Sequence, residues 1–119
     1  MPPRTPGLLW DMLNSARLIV SWTSDMDESM YEQDIQLQSA VERRFEIIGE
    51  AARRLTHHDP ATASLLLALP QIISFRNLIA HGYDEIDHRR VWTIIRDFLP
   101  DLVTGIETLL ASRSIPENQ

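Results

Sequence analysis

Apolar residues recur three and four positions apart along this chain, and they do not alternate with polar residues over any useful length. The clearest run contains Val41, Phe45, Ile48, Ala52 and Leu55, with successive spacings of four, three, four and three. Such spacing places apolar side chains on one face of an α-helix, whereas a half-buried strand needs strict alternation. The sequence therefore predicts an all-α protein without a β-sheet.

The chain has 119 residues, the length of one domain, and its Asp, Pro and Gly positions divide it into four or five helices. Short connections between such helices favour an up-and-down bundle. The predicted helices are residues 8–20, residues 34–55, a short helix with Asp59 as N-cap and Pro60 in its first position, residues 71–80, and a last helix from the Asp87 cap to residue 109.

Two features qualify this bundle. Gly49 lies inside the second helix and predicts close approach of a neighbouring helix. Pro100 must kink or split the last helix, because it lacks the N–H that would bond back to Arg96. Outside the helices, residues 24–33 are expected to form a loop or a frayed turn, residues 1–7 a disordered lead-in and residues 113–119 a flexible tail.

Composition excludes several classes of protein and of site. The chain has no cysteine, so neither disulfides nor thiolate chemistry are available. Its longest apolar run, residues 65–69, is too short to span a bilayer, and we expect a cytoplasmic protein without a secretory signal. His57, His58 and Asp59 suggest a metal site, but adjacent side chains rarely point to one ion and Asp59 is expected to cap a helix. We predict neither a metal nor a cofactor.

The charge balance disfavours general binding of polyanions. The formal net charge is −6, and all 11 basic residues are arginine. Binding to nucleic acid would therefore need a local concentration of arginine, for which the doublets at 43–44, 53–54 and 89–90 are candidates. Taken singly, each doublet is better explained as a solvated helix face paired with glutamate.

Arg76 is the first candidate for chemistry. It lies about 40° from Ile72 around the helix axis, at the edge of the apolar stripe. An arginine in that position is half desolvated and needs a carboxylate or a phosphate as acceptor. Glu46 and Glu50, which share one face of the preceding long helix, are possible resting-state partners, although they could instead pair with arginines of their own helix.

His81 and Tyr83 follow Arg76 at the end of the same helix. On an unbroken helix His81 would lie about 140° from Arg76, but Gly82 is expected to end the helix and let the imidazole turn back. Tyr83 would then reach the same cleft, which would hold a permanent cation, a group titrating near neutrality and a phenol. Taken singly, a histidine at a helix end is more often a cap, and an arginine at a stripe edge is more often an ion-pair partner.

The pattern Arg76-Asn77, three further residues, His81, one residue and Tyr83 resembles the signature of HEPN-domain proteins, and its ending resembles the HepT branch. The similarity extends to the segment at residues 44–52 and to residues 91–102 of the last helix. Together these segments cover most of the chain from about residue 38 to residue 110, in the same order.

This resemblance implies a homodimeric, HEPN-like bundle that acts as a metal-independent endoribonuclease, the toxin of a toxin–antitoxin pair. Arg76 and His81 correspond to the catalytic residues and Asn77 to the supporting polar residue. Tyr83 matches the tyrosine that a partner nucleotidyltransferase antitoxin of the MntA type modifies with AMP. The implied substrate is RNA, and neither DNA nor a membrane is expected as a partner. Asp84 departs from the bulky or aromatic residue of many relatives, which leaves substrate details open.

The chemistry also follows from the residues themselves. RNA cleavage without a metal needs a group that moves protons and a fixed positive charge, which His81 and Arg76 supply. One histidine cannot conveniently perform both proton transfers, so a second His81 from a symmetry-related chain is expected. The alternative is a non-catalytic helical partner or substrate subunit of a minimal nucleotidyltransferase, which the acidic charge favours. A bundle without any site is the third interpretation.

Overall fold

Every regular element in the described part of the chain is helical. The computed structural model describes residues 2–81 and 86–112, and of residues 78–81 it describes the backbone alone. The all-α prediction is confirmed for these ranges, and none of their helices is long and apolar enough to cross a membrane. The elements are α1 (Thr5–Thr23), α2 (Glu28–Gln33), α3 (Ile35–His58), α4 (Pro60–Ala63), α5 (Leu69–His81), α6 (His88–Thr93), a π-helical turn (Ile94–Phe98) and α7 (Leu99–Ser112).

The long helix α3 lies at the centre of the bundle. α1 and α5 pack against it, and α7 packs against α1. All five apolar positions predicted for its buried face, from Val41 to Leu55, are fully buried. Phe45 of α3 meets Phe75 of α5 edge to face, with ring centroids 5.0 Å apart. The α3–α5 contact that supports the candidate site is therefore closely packed and apolar.

The beginning of the chain is more ordered than the sequence suggested. α1 begins at Thr5, inside the segment 1–7 that was expected to be a disordered lead-in. Pro6 is compatible with the first helical turn, where no N–H is needed. Thr5 is fully buried and its hydroxyl donates to Asp59 Oδ2 at 2.8 Å, which fixes the start of α1. The expected tail, residues 113–119, lies outside the described residues.

The loop or frayed turn predicted for residues 24–33 was also wrong in its second half, which forms the capped helix α2. Asp27 caps this helix by accepting a hydrogen bond from the Met30 N–H at 2.8 Å. Tyr31 is fully buried and packs against Trp92 of α6, with ring centroids 5.5 Å apart. A single apolar anchor in a six-residue helix is too little to produce a detectable helical pattern.

Asp59 caps α4, as predicted, with Pro60 in the first turn. Its carboxylate accepts from the Thr62 N–H at 3.2 Å and from the Thr62 hydroxyl at 2.6 Å, in addition to Thr5. α5 begins at Leu69 rather than at residue 71, because Pro70 fits within a first helical turn. The Gly82 helix end lies outside the described residues.

The last helical segment contains the disturbance expected at Pro100. Asp87 caps α6, as predicted, by accepting from the Arg89 N–H at 3.0 Å. Directly before Pro100 the helix widens into the π-helical turn, and the Leu99 N–H donates to the Ile94 carbonyl, five residues back. The turn adds one residue to the helical repeat, so Leu99 is fully buried while the predicted Phe98 is only half-buried.

Candidate active site

Arg76 of α5 packs closely against Gly49 of α3, and we call this contact between the two helices the seat of Arg76. Gly49 of α3 is buried, and a Cβ built on it would overlap Cβ and Cγ of Arg76. The close helix approach predicted from Gly49 is therefore confirmed. The aliphatic stem of Arg76 occupies the space where a side chain at position 49 would lie. The packing of α5 against α3 therefore restricts the position of the guanidinium.

The guanidinium of Arg76 is held between two polar partners. Its Nη2 lies 3.5 Å from Glu50 Oε2, and its Nη1 donates to Asn77 Oδ1 at 3.3 Å. The side chain is 26% exposed, so the charge is partly desolvated. Within the described ranges, its Nε–H is buried without an acceptor. The guanidinium thus has a donor not used by any described residue.

Glu50 is shared among three arginines. Arg53 donates to both carboxylate oxygens, at 2.8 Å and 3.3 Å, and Arg54 donates at 3.2 Å. The hydrogen bond from Arg53 is the largest effect on the pKa of Glu50, and desolvation opposes it. With the charge of Arg53 and the hydrogen bond and charge of Arg54, the pKa of Glu50 is lowered to about 2. Glu50 is therefore ionised at neutral pH, and Arg76 holds only a share of its negative charge.

Glu46, the other proposed partner of Arg76, pairs with Arg43 of its own helix at 3.4 Å. Both residues still lie at the cleft that Arg76 borders, a space of about 300 Å³ between α1, α3 and α5. Three arginines and three carboxylates line this cleft: Arg43, Arg54 and Arg76 with Asp11, Glu46 and Glu50. The local charge balance is therefore close to zero, in contrast to the acidic chain as a whole.

The remaining predicted site residues are His81, at the last described position of α5, and Tyr83, beyond it. His81 is the last residue of α5. Its backbone lies about 7.5 Å along the helix axis from that of Arg76. The His81 side chain and Tyr83 lie outside the described residues. The relation of these two groups to Arg76 therefore stays a prediction.

His57, His58 and Asp59 occupy the end of α3. The two imidazoles contact each other edge to face, with centroids 5.2 Å apart, while Asp59 is already bound by threonines. Across residues 2–81 and 86–112, no group of three or more His, Asp or Glu side chains is arranged to hold a metal ion.

The structure adds two residues to the site that the sequence left undecided. Arg43 and Arg54 belong to arginine doublets whose orientation could not be determined, and both line the cleft with Arg76. Arg43 lies seven residues before Glu50 and Arg54 four residues after it, about 20° and 40° away around the helix axis, so a helical projection around Glu50 would have selected them. In contrast, Arg89 of the third doublet pairs with Glu32 of α2 at 3.7 Å, on another part of the molecule.

Known proteins match the chain over most of its length. A family model described as Ribonuclease HepT-like matches residues 12–109. A protein of Methanocaldococcus jannaschii that carries an RNase name is 29% identical over 101 residues, covering 85% of this chain and 92% of that relative. A protein of Thermococcus cleftensis named "Probable ribonuclease HepT" is 27% identical over 101 residues, covering 85% of this chain and 91% of that relative. No solved structure matches the chain significantly. The extent of the family match shows that this chain belongs to the HepT-like ribonuclease family.

Proposed function

We propose that this chain is the toxin of a toxin–antitoxin pair, a metal-independent endoribonuclease that uses Arg76 and His81 at the interface of a homodimer. The observation that carries the proposal is the seat of Arg76, whose stem packs on Gly49 while its guanidinium borders a cleft. A planar cation held in one orientation and partly shielded from water suits bidentate binding of a phosphate. Membership of a ribonuclease family supports RNA as the source of that phosphate.

The proposed reaction is an internal transfer of a phosphate ester. A base removes the proton of a ribose 2′-hydroxyl, and the 2′-oxygen attacks the adjacent phosphorus. The bond from phosphorus to the 5′-oxygen breaks, leaving a 2′,3′-cyclic phosphate and a 5′-hydroxyl that receives a proton. Negative charge grows on the phosphorane oxygens, where the fixed positive charge of Arg76 stabilises it. Asn77 supports the guanidinium through its Oδ1.

His81 is the proposed proton carrier, because imidazole titrates near neutrality. The reaction needs a base on the 2′ side and an acid on the 5′ side. A homodimer with both motifs at its interface would supply one His81 for each role. Because the chemistry is divided between a guanidinium and imidazoles, RNA cleavage should continue in the presence of EDTA, and loss of cleavage on chelation would contradict this part.

Glu50 gives the proposed site a resting state. Its ionised carboxylate lies 3.5 Å from the guanidinium that the substrate phosphate would use. Since Arg53 and Arg54 also bind Glu50, its charge is largely compensated when a phosphate approaches Arg76. Glu50 would therefore orient Arg76 without blocking it, at the cost of some competition with RNA.

Silencing by a nucleotidyltransferase antitoxin is proposed to act through Tyr83. The phenol oxygen would attack the α-phosphorus of ATP, form a phosphodiester with AMP and release pyrophosphate. The attached phosphate is anionic and could occupy the position of the RNA phosphate at Arg76 and His81. Inhibition would then be both steric and electrostatic.

The alternative, a non-catalytic partner or substrate subunit of a nucleotidyltransferase, is favoured by one observation. The net charge is −6, which would suit a basic protein as partner better than RNA. Under this alternative Arg76 would be an ion-pair partner of Glu50, with no role in cleavage.

Expression of this chain alone, without its antitoxin, tests the proposal. We expect growth arrest with the wild type and none with Arg76→Ala or His81→Ala at equal protein levels. Arg17→Ala is a matched control, because Arg17 forms an exposed ion pair with Glu107 at 2.8 Å away from the cleft. Growth arrest that persists in both site variants would favour the non-catalytic alternative.

A further inference from the structure

A second concavity lies along α5, next to the helix face that carries Arg76, and the proposed reaction does not use it. This α5 groove has a volume of about 580 Å³ and lies between α5, α4 and the end of α3. Neighbouring positions on a helix are about 100° apart, so Arg76 and Asn77 face the cleft and the groove respectively. The groove is apolar at Ala63, Leu69 and Ile73 and polar at Thr56, Ser74 and Asn77.

The described lining of the α5 groove carries no charge. Among the described residues, no acidic or basic side chain lines it, whereas six charged side chains line the cleft. A phosphate or a charged peptide would find no charged partner among these described residues. A flat, neutral ligand with an apolar face and hydrogen-bonding edges fits both the apolar walls and the polar rim. The nucleobases of unpaired RNA have this combination of properties.

The polar groups of the groove have hydrogen-bonding capacity to offer. The Oδ1 of Asn77 accepts from Arg76, which leaves its NH₂ group to donate. The Thr56 hydroxyl donates to the Ala52 carbonyl at 3.0 Å, which leaves its oxygen able to accept. A base in the groove could therefore meet both a donor and an acceptor.

Asn77 joins the groove to the phosphate-binding candidate. It lines the groove and is bonded through its side chain to the Arg76 guanidinium at 3.3 Å. A phosphate on Arg76 and a base in the groove would thus belong to the same or adjacent nucleotides. Asn77 would contact the base and the Arg76 guanidinium together. Binding of the base would therefore affect the orientation of the guanidinium.

The charge of the chain adds an energetic reason for a base-binding site. With a net charge of −6, the chain gains little from the general attraction between protein and RNA backbone. Affinity must then come from contacts that do not depend on net charge. Contact of a base with an apolar wall is such a term.

We propose that the α5 groove binds the nucleobase next to the scissile phosphate, and that Ser74 and Asn77 determine which base is accepted. This inference rests on the proposed ribonuclease function and names the substrate contact that would make it selective. Ser74 and Thr56 are the residues to test, because Asn77 also supports Arg76. Both are exposed, and leucine at either position would fill the groove from α5 or from α3 without disturbing the core.

The experiment uses the full chain and short DNA oligonucleotides that contain one ribonucleotide, so that cleavage is possible at a single position. The base of the ribonucleotide and the base after it are varied in all combinations. The variants are Ser74→Leu and Thr56→Leu, with Gln71→Leu as the control, since Gln71 is an exposed residue of α5 that does not line the groove. Circular dichroism and melting temperature establish that each variant is folded.

We expect the wild type to prefer certain bases, and each groove variant to raise KM for the preferred oligonucleotide by about tenfold while kcat is retained. The preference between bases should narrow in parallel, and Gln71→Leu should behave like the wild type. An unchanged base preference in both folded groove variants would overturn the inference while leaving the ribonuclease proposal intact. Loss of antitoxin binding with unchanged base preference would overturn it in favour of a protein-docking groove. Absence of cleavage by the wild type would instead refute the proposed function itself.

Discussion

Gly49 of α3 and Arg76 of α5 occupy one shared space, because the stem of the arginine fills the volume that a side chain at position 49 would need. The position of Arg76, the proposed catalytic arginine, therefore depends on a residue without a side chain. The packing of α5 against α3, with Phe45 against Phe75, holds this contact in place.

Gly49→Ala should accordingly impair both stability and function. Helix propensity favours alanine by about 1 kcal/mol, but the clash with Arg76 should cost about 1–3 kcal/mol, so we expect a small net destabilisation. The rate of RNA cleavage should fall clearly although the free energy of unfolding changes little, because the guanidinium must move. Urea denaturation and a cleavage assay measure the two effects. Gly7→Ala is the control, since nothing lies within 4 Å of a Cβ at Gly7. Wild-type activity in Gly49→Ala would show that the seat of Arg76 is not needed.

Arg76→Ala should abolish RNA cleavage while leaving helical content and melting temperature nearly unchanged. Glu50 keeps Arg53 and Arg54 as partners, so its carboxylate stays paired. Removal of one donor to a developing phosphorane is expected to lower kcat by roughly 100-fold or more. Arg76→Lys keeps the charge but not the planar fork, and should give intermediate activity.

His81→Ala should show the same separation between activity and stability. His81 is the last residue of α5, so we expect its removal to cost little folding free energy. Purified variants are compared by a fluorescent RNA assay and by circular dichroism on heating. If both His81→Ala and Arg76→Ala unfold, these residues have the structural roles of a helix cap and an ion-pair partner.

The protein should be a homodimer at micromolar concentration, with the cleft at or near the interface. The expectation follows from the two proton transfers, which need two imidazoles. Light scattering or sedimentation velocity gives the mass in solution. A monomer under these conditions would leave the mechanism without its second histidine.

Tyr83 should gain one or more adenylyl groups when the chain is co-expressed with a cognate nucleotidyltransferase. The mass of the intact protein reports each addition. Tyr83→Phe should show no increase, and its toxicity should no longer be suppressed by the partner. Neutralisation of an unmodified wild-type protein would mean that the antitoxin acts by contact alone, and the role of Tyr83 would be refuted.

Asp59 should contribute stability that depends on pH. Hydrogen bonds from Thr62 and then from Thr5, against the opposing effect of desolvation, lower its pKa below the ordinary value of 3.8. A carboxyl group with a lowered native pKa stabilises the fold above the unfolded-state pKa, and this stabilisation is lost as the pH falls from about 4 towards the native value. The single amide oxygen of asparagine cannot accept all three hydrogen bonds that Asp59 accepts. We therefore expect Asp59→Asn to lower the free energy of unfolding by about 1 kcal/mol at pH 7, with a smaller difference from the wild type below pH 4.

Urea denaturation of both proteins across this range measures the effect. Glu50 also has a lowered pKa, so the wild-type curve alone would not isolate Asp59. The difference between wild type and Asp59→Asn does isolate it, because Glu50 is present in both. A difference that does not change with pH would show that Asp59 acts without its charge.

The helices could be predicted from the sequence where the apolar periodicity is long. The buried face of α3 matched its spacing residue by residue, and the caps at Asp59 and Asp87 marked two helix starts. α2 escaped detection because its one apolar anchor, Tyr31, depends on a distant partner, Trp92. Tertiary contact, rather than local preference, stabilises such a short element.

The candidate site was only partly accessible to the same reasoning. Apolar periodicity predicted that Arg76 lies at the edge of the core, and Gly49 predicted a closely packed neighbouring helix. Neither pattern showed that Arg76 and Gly49 contact each other. Rotation and translation of one helix against another are determined by packing, which no single helical pattern specifies. For that reason the sharing of Glu50 among Arg53, Arg54 and Arg76 emerged only with the fold.

The π-helical turn before Pro100 also bears on how this family can vary in length. A π turn is equivalent to one residue inserted into an α-helix without a loop. The surplus residue changes only the ladder of residues 94–98, while Val91 before it and Leu102 after it both remain buried. The turn packs against its neighbours α6 and α7, and α7 packs on α1, whereas the seat of Arg76 is built by α3 and α5. A one-residue insertion or deletion at this point would therefore be absorbed locally, and the geometry around Arg76 would be inherited unchanged.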